Sequence, residues 1–338
     1  MPGLTANKPV AGISRRGLLG AGAVALIAAG CSSGKSSPTT GSTSPGSGSK
    51  IEKPDLTVAA VQAVTNTGLY IAAQQGFFTA EGLKVTIAPI VSSTVAIANQ
   101  LKGQFDVTAG AYESYILAQA HGGGAVSWRI LTEGAVSKTG SQAVLVASGS
   151  PIKTVGDLKG KTIAANILDN VGTLLIQSML TASKVPLSSV KLVAIPFPSM
   201  AAALKRGEID AGWFDEPFLT QAKTTIGAKA LYDTSQGATA NFPISGYMST
   251  QSWYGKYPNT AAAFVRAIHK GQALANSNRG DVDKAVPAYT KVTAATAAKM
   301  GLDDYPVTLD ATRVQRVADV MHQFGLLKTT FSMSAMTG

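Results

Sequence analysis

The sequence predicts an α/β protein of two lobes, each a mostly parallel β-sheet flanked by helices, with a ligand cleft between the lobes. Its 338 residues exceed what one compact core ordinarily holds. Apolar residues make up 45% of the chain and charged residues 14%, which is a globular composition. Short apolar runs alternate with helical patterns in two successive stretches, as expected of parallel sheets covered by helices.

The first stretch contains three strand–helix units. Gly76 follows the first helix at the position where a left-handed residue commonly ends a helix. The hydroxyl groups of residues 92–94 can cap the second helix. The predicted strands are 56–61, 82–87 and 105–109, and the helices that follow them end at residues 75, 101 and 120.

The second stretch repeats this order, and the chain changes to nearly continuous helix after about Gly246. Its predicted strands are 162–165, 190–195 and 209–213, with helices over 173–182 and 199–205. Two further helices are predicted over 260–276 and 309–324.

Two segments, 101–107 and 204–211, match each other across the two stretches. Each contains a helix end, a glycine, a polar residue, an apolar residue and an aspartate, and then a strand. Aromatic and acidic residues follow each strand, at 112–113 and 213–216. Ligands of open parallel sheets bind at the carboxyl ends of strands, so we expect these two positions to face one cleft.

The charge pattern excludes some classes of function. The net charge is +10, and removing Lys8, Arg15 and Arg16 of the leader described below leaves 26 basic residues against 19 acidic ones. No Lys/Arg run is interleaved with aromatic residues, which argues against a nucleic-acid-binding protein. An affinity for acidic envelope polymers and a merely basic surface both remain open. One cysteine and three dispersed histidines predict no disulfide, no metal site and no cofactor.

The amino terminus has the pattern of an export signal. Arg15 and Arg16 form a twin-arginine motif, and the apolar run after them, about 12 residues, is too short to span a bilayer. It ends in small residues before Cys31, which resembles a lipobox, although Ala28 stands where leucine is more usual. We therefore expect a lipoprotein signal peptide over 1–30 and a lipidated Cys31. The alternative is an ordinary cleaved signal with an incidental cysteine.

Residues 31–54 are expected to form a flexible tether, because 32–50 are rich in Ser, Thr, Gly and Pro. About 20 such residues reach roughly 25 Å. Together with the lipid, this tether predicts a protein held on the extracytoplasmic face of the cell membrane.

Several segments of the body together resemble the periplasmic substrate-binding proteins of ABC importers for nitrate, aliphatic sulfonates, taurine and thiamine pyrimidine precursors. The resemblance covers about 55–325 and is carried, in order, by residues 76–83, 103–107, 157–164, 207–211 and 216–217. It implies a two-lobe type II periplasmic-binding-protein fold whose chain crosses between lobes near 147–150 and 244–250. Lobe 1 is then expected over 55–147 and 249–338, and lobe 2 over 148–248.

Five loops are the candidates for the ligand site. Their residues follow predicted strands or begin predicted helices, although each could instead cap a helix, form a turn, join the lobes or fill the core. The candidate residues are Gln62, Thr65, Asn66, Ser92, Ser93, Thr94, Tyr112, Glu113, Asn166, Asp169, Asn170, Trp213, Asp215 and Glu216.

This set holds four carboxylates and neither Lys nor Arg, so a bare anion would be repelled unless the carboxylates were paired. The balance favours a ligand with an amine or ring nitrogens, such as a taurine-like zwitterion or a pyrimidine. The resemblance implies a monomeric receptor that binds a small nitrogen- or sulfur-containing molecule and delivers it to an ABC permease and its ATPase.

Three alternatives stay open: a nitrate- or bicarbonate-type anion receptor, a sensory lipoprotein, and an extracytoplasmic enzyme on the same fold. An enzyme would need a general base, for which only His121 and Glu113 are candidates. The glycines after His121 resemble an oxyanion loop, but no Gly-x-Ser-x-Gly motif accompanies them. We therefore expect a protein without enzymatic activity.

Overall fold

A computed structural model describes residues 50–124 and 126–338. The export motif at Arg15 and Arg16, the lipidation site at Cys31 and nearly all of the tether lie outside the described residues. The described residues form ten strands: β1 Asp55–Val61, β2 Lys84–Ile90, β3 Val107–Gly110, β4 Trp128–Val136, β5 Gln142–Val146, β6 Thr162–Ala165, β7 Lys191–Ala194, β8 Ala211–Asp215, β9 Lys229–Asp233 and β10 Pro243–Thr250.

The strands make two five-stranded sheets with the same design. The order is β2-β1-β3-β10-β4 in the first sheet and β7-β6-β8-β5-β9 in the second. In each sheet the first three strands are parallel and the fourth is antiparallel to both of its neighbours. The predicted architecture of two mostly parallel sheets is therefore present, and each antiparallel fourth strand is the one that follows a crossing between sheets.

Helices pack on both sheets. They are α1 Thr67–Gln74, α2 Phe77–Ala80, α3 Ser93–Leu101, α4 Tyr112–His121, α5 Val171–Ala182, α6 Phe197–Arg206, α7 Phe218–Ile226, α8 Gln251–Lys256, α9 Pro258–Ser277, α10 Arg279–Thr290, α11 Ala294–Ala297, α12 Ala311–Gln323 and α13 Ser334–Thr337. Gly76 has the expected left-handed backbone, with φ 71°. A short 3-10 helix, Val64–Asn66, precedes α1.

The chain crosses between the sheets earlier than the sequence suggested. It leaves the first sheet after Val136 and returns at Pro243, so the crossings are 137–141 and 234–242. Residues 142–147, expected in lobe 1, thus belong with the second sheet, and 243–248, expected in lobe 2, belong with the first. The misplacement arose because no α-helix separates β4 from β5 or β9 from β10. These four strands therefore lack the strand–helix alternation from which the sequence predicted the other strands.

The matched segments form the same turn in each lobe. Asp106 and Thr57 exchange two hydrogen bonds: the Asp106 amide donates to the Thr57 carbonyl, and Asp106 Oδ2 accepts from the Thr57 amide, each at 2.9 Å. Asp210 does the same with Thr162, at 2.9 and 2.8 Å. The aspartate of the motif therefore fastens the turn before one strand to the start of its neighbour.

The two lobes are packed against one another over an apolar core. One cluster of buried residues includes Tyr115 and Ile116 of α4 and Met321 of α12 from the first lobe, and Leu174 and Leu175 of α5 from the second. The Asn170 amide donates to the Ser114 hydroxyl across the lobes at 2.6 Å. These contacts join the two lobes.

Candidate functional site

A cavity of about 50 Å³ lies between the lobes, where the carboxyl ends of β1, β3, β6 and β8 meet. We call it the cleft cavity. Eight of the fourteen candidate residues border it: Thr65, Asn66, Ser92, Ser93, Asn166, Asn170, Trp213 and Asp215. It is also bordered by Val61, Ala63, Ala109, Gly110, Ala111, Ile167, Val171, Phe197, Ile244 and Ser245.

The amino ends of helices from both lobes surround the cleft cavity. Ser92 caps α3, its hydroxyl accepting from the Val95 amide at 3.4 Å. The Ser93 hydroxyl accepts from the Ala111 amide at 3.1 Å, which ties the start of α3 to the start of α4. In the second lobe, Asn170 is the N-cap residue of α5. The free amides of a helix amino end, and its dipole, favour an anionic group.

Three residues that border the cleft cavity carry buried polar atoms with no hydrogen-bond partner among the described residues. They are Asn66 Oδ1, Asn166 Oδ1 and Ser245 Oγ. The Asn66 amide nitrogen is used, since it donates to the Val61 carbonyl at 2.8 Å. Unsatisfied buried polar atoms are costly, so their gathering at one cavity indicates a place for a polar ligand.

One wall of the cleft cavity is aromatic. Trp213 is buried, and its ring lies 5.7 Å from that of Phe197 at a 40° interplanar angle. The indole Nε1 donates to the Thr234 hydroxyl at 3.1 Å. Gly172 of α5 lies against the ring, where a Cβ atom would come within 2.6 Å of Trp213 Cε3. The indole is therefore fixed in position and presents an apolar surface to the cavity.

Asp215 is the acidic residue that borders the cleft cavity. Its Oδ1 accepts from the Glu216 amide at 2.9 Å and from Gln142 Nε2 at 3.3 Å. Burial raises the pKa of the Asp215 carboxyl well above its usual range, and nearby Asp303 raises it further.

Glu216 lies outside the cavity lining and joins the lobes instead. Oε1 accepts from the Thr220 hydroxyl at 2.6 Å and from the Gly301 amide of the other lobe at 3.2 Å. Oε2 accepts from the Thr220 amide at 3.0 Å, and the Glu216 carbonyl accepts from the Val64 amide at 2.9 Å. Of the two roles open to Glu216, its contacts are those of the interlobe hydrogen bond.

Glu113 and Tyr112 also lie outside the lining, because the first residues of α4 turn them into the core. Both are fully buried, and neither the Glu113 carboxyl oxygens nor the Tyr112 hydroxyl has a hydrogen-bond partner among the described residues. Burial raises the pKa of Glu113 to about 8. The Tyr112 ring fills the space above Gly246 of β10.

The remaining candidates are not part of the lining either. Gln62 is half-buried beside it, and Thr94 and Asp169 are exposed. Asp169 has a left-handed backbone, with φ 53°, so it serves the turn before α5.

Several residues that line the cleft cavity were not predicted from the sequence. Ser245 and Ile244 lie in β10, which was not recognised as a strand. Phe197 begins α6 after β7, and the rule that ligands meet strand carboxyl ends could have found it. Ile167 stands between two candidate residues and was passed over because it is apolar.

A second, larger groove of about 590 Å³ lies in the first lobe, around Asp106. Asp106 precedes β3, whose other end borders the cleft cavity, so the groove is at the opposite edge of the sheet. Its carboxylate is already satisfied by Lys53, by the Thr57 amide and by Trp253 Nε1 at 2.9 Å. No candidate residue lines this groove.

Within residues 50–124 and 126–338, no helix has both the length and the apolar character needed to cross a bilayer. In the same part of the chain, no group of three or more His, Cys, Asp or Glu side chains is placed to hold a metal ion.

Comparison with known proteins places this geometry in a family. An aliphatic sulfonates-binding protein of Escherichia coli (strain K12) is 26% identical over 142 residues, which are 42% of this chain and 43% of that protein. The match thus spans less than half of that relative.

Two solved structures show the same fold. The alkanesulfonate-binding protein SsuA from Xanthomonas axonopodis pv. citri, bound to MOPS, superposes with a TM-score of 0.72 at 18% identity, covering 85% of this chain and 99% of that one. The desulfurization enzyme DszB superposes with a TM-score of 0.64 at 16% identity, covering 85% and 96%. The predicted two-lobe type II periplasmic-binding-protein fold is therefore confirmed.

The model of the NMT1/THI5-like family matches residues 64–280, from the start of the first lobe's 3-10 helix into α10. This match includes the second sheet, both crossings and most of the cavity lining. The chain therefore belongs to the NMT1/THI5-like family.

Proposed function

We propose that the chain is the solute-binding component of an ABC importer, and that it binds a small molecule with a sulfonate or another compact oxyanion group between its lobes. The proposal is supported by the family, by the sulfonate-binding relatives and by the position of the cleft cavity. As a receptor, the protein would deliver its ligand to an ABC permease and its ATPase.

One observation carries the choice of an anionic group: the amino ends of α3, α4 and α5 border the cleft cavity from both lobes. No Lys or Arg lines the cavity, so backbone amides would supply the positive end of the interaction. Because both lobes contribute amides, an anion held between them favours the closed arrangement over the open one.

The expected repulsion of an anionic ligand by carboxylates is weaker once the lining of the cleft cavity is known. It rested on four carboxylates in the site, but Glu113, Asp169 and Glu216 do not border the cleft cavity. Asp215 remains, and the raised pKa of its carboxyl reduces the negative charge an anion would meet. Asn66 Oδ1 and Asn166 Oδ1 accept hydrogen bonds, so an amine on the same ligand, as in taurine, has acceptors beside the place proposed for the sulfonate.

The size and the walls of the cavity restrict the rest of the ligand. Its volume, about 50 Å³, is far below the 300–1,000 Å³ typical of sites for drug-sized molecules. Trp213 and Phe197 provide an apolar wall against which a short alkyl chain can pack. The same small volume supports a second candidate, an inorganic anion of the size of nitrate.

We propose further that the protein binds its ligand without converting it. The fold alone does not decide this, since it also occurs in the desulfurization enzyme. In support, Glu113 is buried away from the cavity, and His121 is exposed at the far end of α4, about 15 Å along the helix. Neither candidate base lines the cleft cavity.

Two sequence motifs support a proposal about where the protein is located in the cell. We propose that a twin-arginine signal with Arg15 and Arg16 exports the chain, and that lipid on Cys31 anchors it as a monomer on the extracytoplasmic membrane face. A sensory lipoprotein without a permease remains the alternative, and pull-down of a permease by ligand-loaded protein separates the two.

A ligand panel tests the proposed function. Binding to the protein would be measured by calorimetry and thermal shift for methanesulfonate, ethanesulfonate, taurine, nitrate, bicarbonate and a hydroxymethylpyrimidine. We expect a sulfonate to bind and to raise the melting temperature, with ethylamine, which lacks the sulfonate, as the matched non-binding control. Binding of the pyrimidine or of ethylamine in preference to every anion would contradict the proposal.

A further inference from the structure

Two carboxyl groups from opposite lobes meet at the back of the cleft cavity. Asp215 ends β8 in the second lobe, and Asp303 lies in the first lobe, next to the residue that bridges to β4. Gln142 Nε2 lies between them, 3.3 Å from Asp215 Oδ1 and 3.3 Å from Asp303 Oδ1. Both aspartates are buried, at 4% and 3% exposure.

The two carboxyls differ in their free oxygens. Asp303 Oδ2 is buried with no hydrogen-bond partner among the described residues. Asp215 borders the cavity, and among those residues its hydrogen bonds fall on Oδ1 alone. Asp215 Oδ2 is therefore the oxygen that remains for a ligand.

No basic side chain forms an ion pair with either aspartate in the part of the chain that the structure describes. Two cations lie nearby: Lys138 pairs with exposed Asp304 at 3.5 Å and also acts on Asp303, and Lys223 acts on Glu216. The other titratable groups around the pair are acidic or phenolic. They are Glu216, which follows Asp215 in the chain, Asp304, which follows Asp303, and Tyr289 and Tyr305 from the first lobe.

Two buried carboxylates without a cation cannot both carry full charge at low cost. Burial raises the pKa of Asp215 first, and the charge of Asp303 raises it further. Burial likewise raises the pKa of Asp303, although the Ser141 hydroxyl opposes the shift.

We infer that Asp215 and Asp303 meet the ligand with one proton between them, that this proton lies on Asp215 when an anion is bound, and that Asp303 of the opposite lobe is the positioning residue that takes the remaining charge. This inference rests on the proposed function, because it supplies the hydrogen-bond donor that an oxyanion needs. The acid proton on Asp215 Oδ2 donates to an oxygen of the sulfonate, on the side opposite the helix amino ends.

The inference makes ligand affinity depend on pH. Ionised Asp215 offers an anion no donor and repels it, so affinity is highest below the pKa of Asp215 and is lost as pH rises through it. Where Asp215 is ionised in the free protein, binding takes up one proton, and affinity falls about tenfold per pH unit. An amine ligand that paired with ionised Asp215 would show the opposite trend.

The experiment measures methanesulfonate affinity by calorimetry between pH 5.5 and 9 for four proteins: wild type, Asp215→Asn, Asp303→Asn and Asp319→Asn. The amide of Asp215→Asn keeps a donor without a titratable proton, so its affinity should be flat with pH. In Asp303→Asn the loss of the neighbouring charge should move the fall in affinity at least one pH unit lower. Asp319→Asn is the matched control, since it removes an exposed acid of α12 that is not among the groups around the pair, and should behave as wild type.

A second readout needs no variant. Calorimetry in buffers of different ionisation enthalpy reports the protons taken up by wild type, and we expect uptake to rise from near zero toward one as pH increases. Affinity that rises with pH, with protons released on binding, would overturn the inference while leaving the proposed function intact. Failure of every anion to bind at every pH would overturn the proposed function and this inference with it.

Discussion

Asn170→Asp tests whether helix amino ends hold an anion. Asn170 is 2% exposed, is the N-cap residue of α5 and borders the cleft cavity. The Asn170 side chain makes no capping hydrogen bond, and burying a carboxylate there costs the apo protein some stability. The Ser114 hydroxyl, which now accepts from the Asn170 amide, can donate to the new carboxylate and offset part of that cost. The substitution thus adds a negative charge at the amino end of α5.

The magnitude follows from the size of the cavity. A cavity of about 50 Å³ is a few ångströms wide, so the new carboxylate would lie about 5 Å from a bound anion. At that distance and an effective dielectric constant of about 20, like charges repel by about 3 kcal/mol. Affinity for methanesulfonate should therefore fall about a hundredfold.

Calorimetry at pH 7 with methanesulfonate measures the loss, and the melting temperature of the apo protein reports stability. Asn278→Asp is the matched control, because Asn278 caps α10 with a side-chain hydrogen bond but is exposed and remote from the cavity lining. Wild-type affinity in a folded Asn170→Asp protein would refute the reasoning that the amino end of α5 faces the ligand.

Four further predictions concern other parts of the chain. Glu113→Leu should raise the free energy of unfolding at pH 8 by about 1–3 kcal/mol, because it removes an unpartnered buried carboxyl. Burial raises the pKa of Glu113 from 4.5 to about 8, so its contribution to stability is full below pH 4.5 and lost as pH rises through 8. Urea unfolding at several pH values should find this loss in wild type but not in the variant. Glu216→Ala should lower apo stability by about 1–3 kcal/mol in urea unfolding, since the Thr220 and Gly301 amides lose their acceptor; unchanged stability would contradict the interlobe role. Gly172→Ala should displace the Trp213 ring, shift its fluorescence and weaken binding, and an unchanged spectrum would contradict the close packing. Cys31→Ala should leave the protein exported but absent from the salt-washed membrane fraction, and retention there would refute the lipid anchor.

The parallel part of each sheet could be predicted from the sequence, because β1, β3, β6 and β8 are short apolar runs with a helix between them. The antiparallel strands could not. β10 contains Pro243 and Gly246 and is buried along nearly its whole length, so it shows no alternation of polar and apolar residues. The crossings were misplaced for the same reason, since they lie next to these strands.

The site residues near the carboxyl ends of strands and the starts of helices could be predicted from the sequence. Asn66, Ser93 and Asn170 lie at or next to the starts of helices, Trp213 lies in β8 near its carboxyl end, and all four border the cavity. The direction of a side chain could not be predicted. Glu113 is two residues from Ala111, and Glu216 is one residue from Asp215. Ala111 and Asp215 border the cavity, yet the helix rotation at α4 and the turn before α7 point the two glutamates elsewhere.

A crystal structure of the protein with methanesulfonate tests the central claim most directly. The account predicts that the sulfonate lies in the cleft cavity, with its oxygens within hydrogen-bond distance of backbone amides at the amino ends of α3 or α4 and of α5, one set from each lobe. A sulfonate bound in the groove around Asp106, or held by a Lys or Arg side chain of one lobe, would contradict it.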